Sequence, residues 1–288
     1  MRNYLICLGA ALLCACNSKS QEINFRQVFE LENTHNEVSG MVYHQTTGKL
    51  WMLQDKGNPS ELYVYSTDGK FERTVPVNNQ QNTDWEDLSQ DAAGNLYIGD
   101  FGNNKNDRRD LKILKLNAPS LEDRSLNAVQ ETSFYYEDQK EFPPKKKELL
   151  YDCEAFVATG EAFYLFTKNR AKGFDGTFYV YKVPNKPGSF KAEKIATLKT
   201  CSRYKSCAVT GASINPKGNK IALSTHDKVF FIPFKNDGSF AQDQMEMFEL
   251  LHHSQKEAVA FKNDHELYLA DENEGNTGGG HVYVLDLN

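Results

Sequence analysis

Apolar and polar positions along this chain fall into short runs, and the runs come in pairs. Ser39-Gly40-Met41-Val42-Tyr43 is followed, after Thr47-Gly48, by Lys49-Leu50-Trp51-Met52-Leu53-Gln54-Asp55. Trp85-Glu86-Asp87-Leu88 is followed by Asn95-Leu96-Tyr97-Ile98-Gly99-Asp100. The same unit returns at Cys153-Glu154-Ala155-Phe156-Val157, at Thr210-Gly211-Ala212-Ser213-Ile214 and at Glu257-Ala258-Val259-Ala260-Phe261, each with a second apolar run after a turn. Runs this short, joined by Gly- and Asn-containing turns, predict β-hairpins. A third run follows in each unit, at 61–66, 111–116, 177–183, 228–234 and 281–287. A more polar fourth run closes the first four units, at 71–77, 129–136, 193–199 and 245–251.

The fifth unit lacks its fourth strand, and residues 23–31 supply a spare one at the other terminus. The pattern therefore predicts an all-β five-bladed β-propeller whose last blade is closed by the N-terminal strand. A blade cannot bury both faces alone, so blades stack until the ring closes. Six blades remain an alternative if 117–151 hides strands, although Pro143-Pro144-Lys145-Lys146-Lys147 reads as an exposed loop. A β-sandwich does not explain the recurring unit.

In such a ring the start of each first strand and the end of each second strand share one face. Glu86, Glu154 and Glu257 stand at the first-strand starts. Asp55, Asp100, Lys168-Asn169, His226-Asp227 and Asp271-Glu272-Asn273 stand at the second-strand ends. Crowded carboxylates repel, so they need a cation, retained protons or wide spacing. Calcium suits an oxygen-rich set, with Glu86, Glu154, Glu257, Asp100 and Asp271 as ligands. The alternative is that each acid ties its blade to the backbone of the next. Asp55, Asn103, Asn104, Lys168, Asn169, Asp227, Glu272 and Asn273 form the expected ligand-binding face, on long loops of a rigid scaffold. His226 is the candidate general base. Trp85 is expected at a blade interface.

Composition narrows the classes. The chain has 288 residues and a net charge of −6, which argues against a basic nucleic-acid groove. No Gly-x-Ser-x-Gly elbow and no P-loop occur. Three of the six cysteines, Cys7, Cys14 and Cys16, lie in an apolar leader too short to span a bilayer. Its end, Leu13-Cys14-Ala15-Cys16, resembles the lipobox of bacterial lipoproteins. That resemblance implies cleavage after residue 15, lipidation of Cys16 and anchoring in the cell envelope, with a tether at 16–22 ahead of the single propeller domain that the repeats predict at 23–288. Cys201 and Cys207 bracket a short loop and can pair in an oxidising compartment if their Cα separation allows. Cys153 reads as a buried thiol.

Thr83-Asp84-Trp85-Glu86-Asp87-Leu88, Tyr97-Ile98-Gly99-Asp100-Phe101-Gly102-Asn103-Asn104 and Tyr151-Asp152-Cys153-Glu154-Ala155-Phe156 resemble segments of uncharacterised bacterial lipoprotein β-propellers. The layout is remotely similar to calcium-dependent lactonases and strictosidine-synthase-like propellers, which have six blades and axial Glu, Asn and Asp metal ligands. Glu86, Glu154, Asp100 and Asp271 are the matching positions, though no complete ligand motif of that family is present. The combined expectation is a monomeric, envelope-anchored binding module. Its acidic face binds a ligand or protein partner around a central calcium. The alternative is a metal-dependent hydrolase of lactones, esters or phosphoesters.

Overall fold

The computed structural model describes residues 24–235, 238–273, 275 and 278–287. The leader, Cys16, the tether and Ile23 lie outside those residues. Nearly all of the regular secondary structure in the described chain is β-strand. The first sheet holds β2 (Val38–His44), β3 (Lys49–Gln54), β4 (Glu61–Tyr65) and β5 (Phe71–Pro76) in chain order. Next come β6 (Trp85–Gln90), β7 (Leu96–Asp100), β8 (Lys112–Leu116) and β9 (Ala128–Tyr136). β10 (Asp152–Ala158), β11 (Ala162–Lys168), β12 (Thr177–Pro184) and β13 (Gly188–Lys199) follow. These two sets join into one eight-stranded sheet, because β13 pairs in parallel with β9 from Gly188–Thr132 to Ala192–Tyr136.

β14 (Gly211–Ile214), β15 (Lys220–Ser224), β16 (Lys228–Pro233) and β17 (Glu246–Glu249) make a further sheet. The last sheet takes β18 (Lys256–Asn263), β19 (Glu266–Asp271) and β20 (His281–Asp286), and is completed by β1 (Asn24–Glu30). β1 runs antiparallel to β20, from Asn24 opposite Asp286 to Glu30 opposite His281. The spare N-terminal strand therefore sits where the alternation placed it. No strand is described between Tyr136 and Asp152, where the lysines 145, 146 and 147 are exposed. The expected strand at 245–251 is shorter than predicted, because Leu251 takes a left-handed φ of 54° that no extended strand tolerates.

Five apolar clusters hold these units together, and each draws on two successive units. One packs Trp51 against Trp85, both fully buried. Another carries the cycle from the last unit to the first, with Tyr268 and Val284 beside Met52 and Tyr63. Along inner strands such as β3, β7, β10 and β11 both alternating faces are thereby buried, which a single sheet cannot achieve. The innermost strands also touch in a closed cycle, β2 to β6, β10, β14, β18 and back to β2. At Gly40 the approach is backbone to backbone. A Cβ there would lie 2.4 Å from the Leu88 nitrogen, so only glycine fits.

Short side chains stitch these inner strands. Ser39 Oγ donates to the Trp85 carbonyl at 3.1 Å, and Ser89 Oγ accepts the Ala158 N–H at 2.9 Å. Ser213 Oγ accepts the Phe261 N–H at 3.0 Å. Cys201 and Cys207 are joined by a disulfide across a one-turn helix, Tyr204–Cys207, with Cα atoms 5.4 Å apart. Cys153 is free and buried. The bridge closes a loop of six residues. Cys201→Ser should therefore cost roughly 2 kcal/mol by loop-closure entropy, read as a lower urea midpoint that reductant also produces in the parent.

Candidate axial site

The three axial glutamates owe their position to a repeated irregularity. Pairing between first and second strands skips one residue between Val38 and Gly40, Trp85 and Asp87, Cys153 and Ala155, and Lys256 and Ala258. The skipped residues are Ser39, Glu86, Glu154 and Glu257. A bulge leaves its extra residue outside the ladder and re-aims its side chain. β14 shows no such shift, and Gly211 stands at the equivalent place. The glutamates end only 7%, 5% and 6% exposed.

Buried carboxylates need compensation, and the chain supplies it. Lys168 Nζ lies 3.0 Å from Glu154 Oε2 and 3.6 Å from Glu257 Oε2. Arg170 Nη2 lies 2.6 Å from Glu154 Oε1, and its Nε lies 2.6 Å from Asp152 Oδ2. Arg170 also reaches Asn104 Oδ1 and Tyr204 Oη. On the far side of Glu257, His226 Nε2 lies 3.3 Å from Oε1. Basic and acidic side chains alternate along this line, Arg170 between Asp152 and Glu154 and Lys168 between Glu154 and Glu257, and burial and then Glu154 push Asp152 up to about 7. Burial opposes the charge on Lys168, but Glu154 and Glu257 outweigh it and hold its ammonium above the ordinary lysine range.

Glu86 sits on the equivalent bulge without such help. No hydrogen-bond donor to it is found among the described residues. Burial first, then the charges of Glu154, Asp152 and Asp84, push its carboxyl well above the ordinary range. Glu154 moves the other way: burial would raise it, yet Lys168 and Arg170 hold it below the usual carboxylate value. At the mouth, burial and then Glu37, Asp84, Glu154 and Glu257 push Asp55 up to about 7. Burial, Glu257 and Asp55 push Glu272 up to about 9, and Glu272 also accepts from Gln255 Nε2.

The other predicted positions are engaged elsewhere. Asp100 Oδ1 accepts from Arg108 at 3.0 Å and from the Asp84 N–H at 3.2 Å. Asp271 accepts from the His281 N–H at 2.7 Å and from Tyr283 Oη at 2.8 Å. Both acids tie strand ends of their own sheet. Asp227 is held by Lys228 at 2.8 Å. Asn103 and Asn169 are buried and Asn273 is half-buried, and all three fasten loops. Asn103 Nδ2 donates to the Tyr151 carbonyl, Asn169 Nδ2 to the Thr177 carbonyl, and Asn273 Oδ1 accepts the Gly275 N–H.

This donor set does not fit a resident divalent ion. Among the described residues no group of three or more His, Cys, Asp or Glu is arranged to hold one. The lysine ammonium lies between the two carboxylates that a metal would bridge. The tie between blades falls instead to Asp87, whose Oδ2 accepts the Phe156 N–H at 2.9 Å and the Ala212 N–H at 3.4 Å. Arg170 is the main residue that sequence reasoning missed. Its signal is there: Asp152-x-Glu154 faces Lys168-x-Arg170, and Asp152 pairs in register with Lys168.

A cavity of about 440 Å³ opens at the other end of the axis. It is lined by the turns between first and second strands, among them His44, Gln90, Thr159, Asn215 and Pro216.

No protein-family model matches the chain, and no curated protein matches it. Solved propeller structures do. The PQQ-bound aldose sugar dehydrogenase of Streptomyces coelicolor aligns with a TM-score of 0.54 at 10% identity, over 92% of this chain and 98% of that one. A Trichoderma reesei carbohydrate-active enzyme of family AA12 gives 0.50 at 9% identity, over 93% and 97%. A Xanthomonas campestris gluconolactonase gives 0.48 at 11%, over 93% and 91%. At these identities the likeness is one of fold.

Proposed function

We propose that the chain is a five-bladed propeller, lipid-anchored in the bacterial envelope through Cys16, and that its axial cluster is a metal-independent hydrolase site for lactones or esters. One observation carries the reading. Glu86 and Glu154 occupy equivalent bulges, yet burial and the nearby acids drive Glu86 toward the acid, while Lys168 and Arg170 hold Glu154 as the carboxylate. Glu86 can thus give a proton while Glu154 holds the two cations in place, a division of roles that suits acid-assisted hydrolysis.

The roles follow from the contacts. His226, oriented by Glu257, takes a proton from water as the water oxygen bonds to the carbonyl carbon. Lys168 and Arg170 hold the negative charge that gathers on the carbonyl oxygen. Cleavage of the C–O bond releases an alkoxide, which takes the Glu86 proton. The proton left on His226 returns through solvent to Glu86, so acid and alcohol are the only products.

Glu86→Gln tests this directly. It should lower kcat for lactone or ester hydrolysis by roughly 10²–10⁴-fold, the span of a lost general acid, with EDTA without effect on the parent. The same change should not lower stability. The raised carboxyl keeps a proton in the fold that the unfolded chain sheds above its ordinary value. Stability therefore falls as pH rises through that window, and the glutamine removes the fall. Turnover unchanged in Glu86→Gln, or dependent on added calcium, overturns the proposal.

A binding role is the second reading. It is favoured by the cavity at the opposite end of the axis, which no part of the acid–base cluster lines.

A further inference from the structure

Lys256, at the start of β18, is 0% exposed. Its ammonium meets no carboxylate at ion-pair distance among the described residues. It donates instead to neutral acceptors: Ser254 Oγ at 2.7 Å, His252 Nδ1 at 3.0 Å, and the carbonyls of His252 and His226 at 3.2 Å each. The rings of Tyr283 and Phe25 flank it at 5.2 and 5.6 Å. Its own carbonyl accepts from Thr210 Oγ1 at 2.6 Å. A buried ammonium without a counter-charge is costly, and replacing buried ions by apolar groups is often neutral or stabilising. Retention for stability is therefore a poor explanation.

Position offers a better one. Lys256 immediately precedes the bulged Glu257. Through the His226 carbonyl it grips the backbone of the imidazole that Glu257 orients. Through His252 and Ser254 it fastens the loop that brings the His253 ring to 5.9 Å from His226. One ammonium thus joins both sides of the His226–Glu257 contact. We propose that Lys256 is a positioning residue that sets the His226–Glu257 pair. The catalytic meaning rests on the hydrolase reading above, whereas the positioning does not.

The test compares the His226 Cε1–H resonance and the melting temperature at pH 7 in the parent and in Lys256→Met. The variant should show a displaced resonance and a melting temperature no lower than the parent's. If Lys256→Met does not fold, Lys256→Gln is read for the displaced resonance. An undisturbed resonance in the folded variant overturns the proposal. Absence of turnover on every ester would sink the hydrolase reading and leave this measurement intact.

Discussion

Lys168→Met is expected to destabilise the protein by about 3–5 kcal/mol, the usual result of removing one partner from a buried ion pair. For a chain of this size that is a fall in melting temperature on the order of 10 °C. The side chain is only 8% exposed and lies between two carboxylates that are themselves buried. Methionine fills much of the same volume, so packing changes little and the loss is electrostatic. Glu154 and Glu257 would then face each other, and Glu86, without a cation between them. That vacancy yields a second expected result. The parent's melting temperature should be indifferent to calcium and to EDTA, while the variant should recover part of its loss in millimolar calcium. A parent stabilised by calcium would show that the lysine is not the resident cation.

Asp87→Ala is expected to be comparably damaging, at about 3 kcal/mol or more, because each stranded buried donor costs about 1–3 kcal/mol. The carboxylate is fully buried. It serves the N–H groups of Leu88, Phe156 and Ala212, on three of the inner strands. Alanine strands all three with no water to replace them. Asp87→Asn keeps one acceptor oxygen and should cost less. The ordering Ala worse than Asn, read from urea midpoints, separates lost hydrogen bonding from lost charge. Equal losses would mean that the charge, not the acceptor, matters.

The hairpin order was legible because alternation and turn residues are local properties. The N-terminal strand was legible because a strand without partners had to find one. Trp85 at a sheet interface followed from its size. The bulges were not legible. Skipping one residue leaves composition unchanged and is decided by how β6, β10 and β18 meet their neighbours. The calcium expectation failed to find its ligand set for a related reason. Acids at the ends of β7 and β19 look like ligands when only acids are counted. Asp100 and Asp271 are already bonded to Arg108, to Tyr283 and to backbone N–H groups. The bases Lys168 and Arg170 sit one strand away from Asp152 and Glu154, and cross-strand neighbours become apparent only once register is known. Lys256 was not legible because its acceptors include the carbonyls of His226 and His252, whose course through loops the strand pattern does not fix.

The parallel seam between β9 and β13 has a consequence for how this molecule meets others. A strand with an open side is a template on which another polypeptide can extend the sheet. By lying against each other, β9 and β13 withdraw two such templates from the perimeter. Among the described residues the outer strands β1 and β17 keep a single neighbour, whereas the end of β5 is met by Leu126, whose N–H donates to the Pro76 carbonyl at 2.8 Å. Recruitment of a foreign strand is therefore expected first at β1 and β17. β17, only four residues long and with Met247 turned outward, is the one whose blunting by a charged substitution would most simply reveal such a contact.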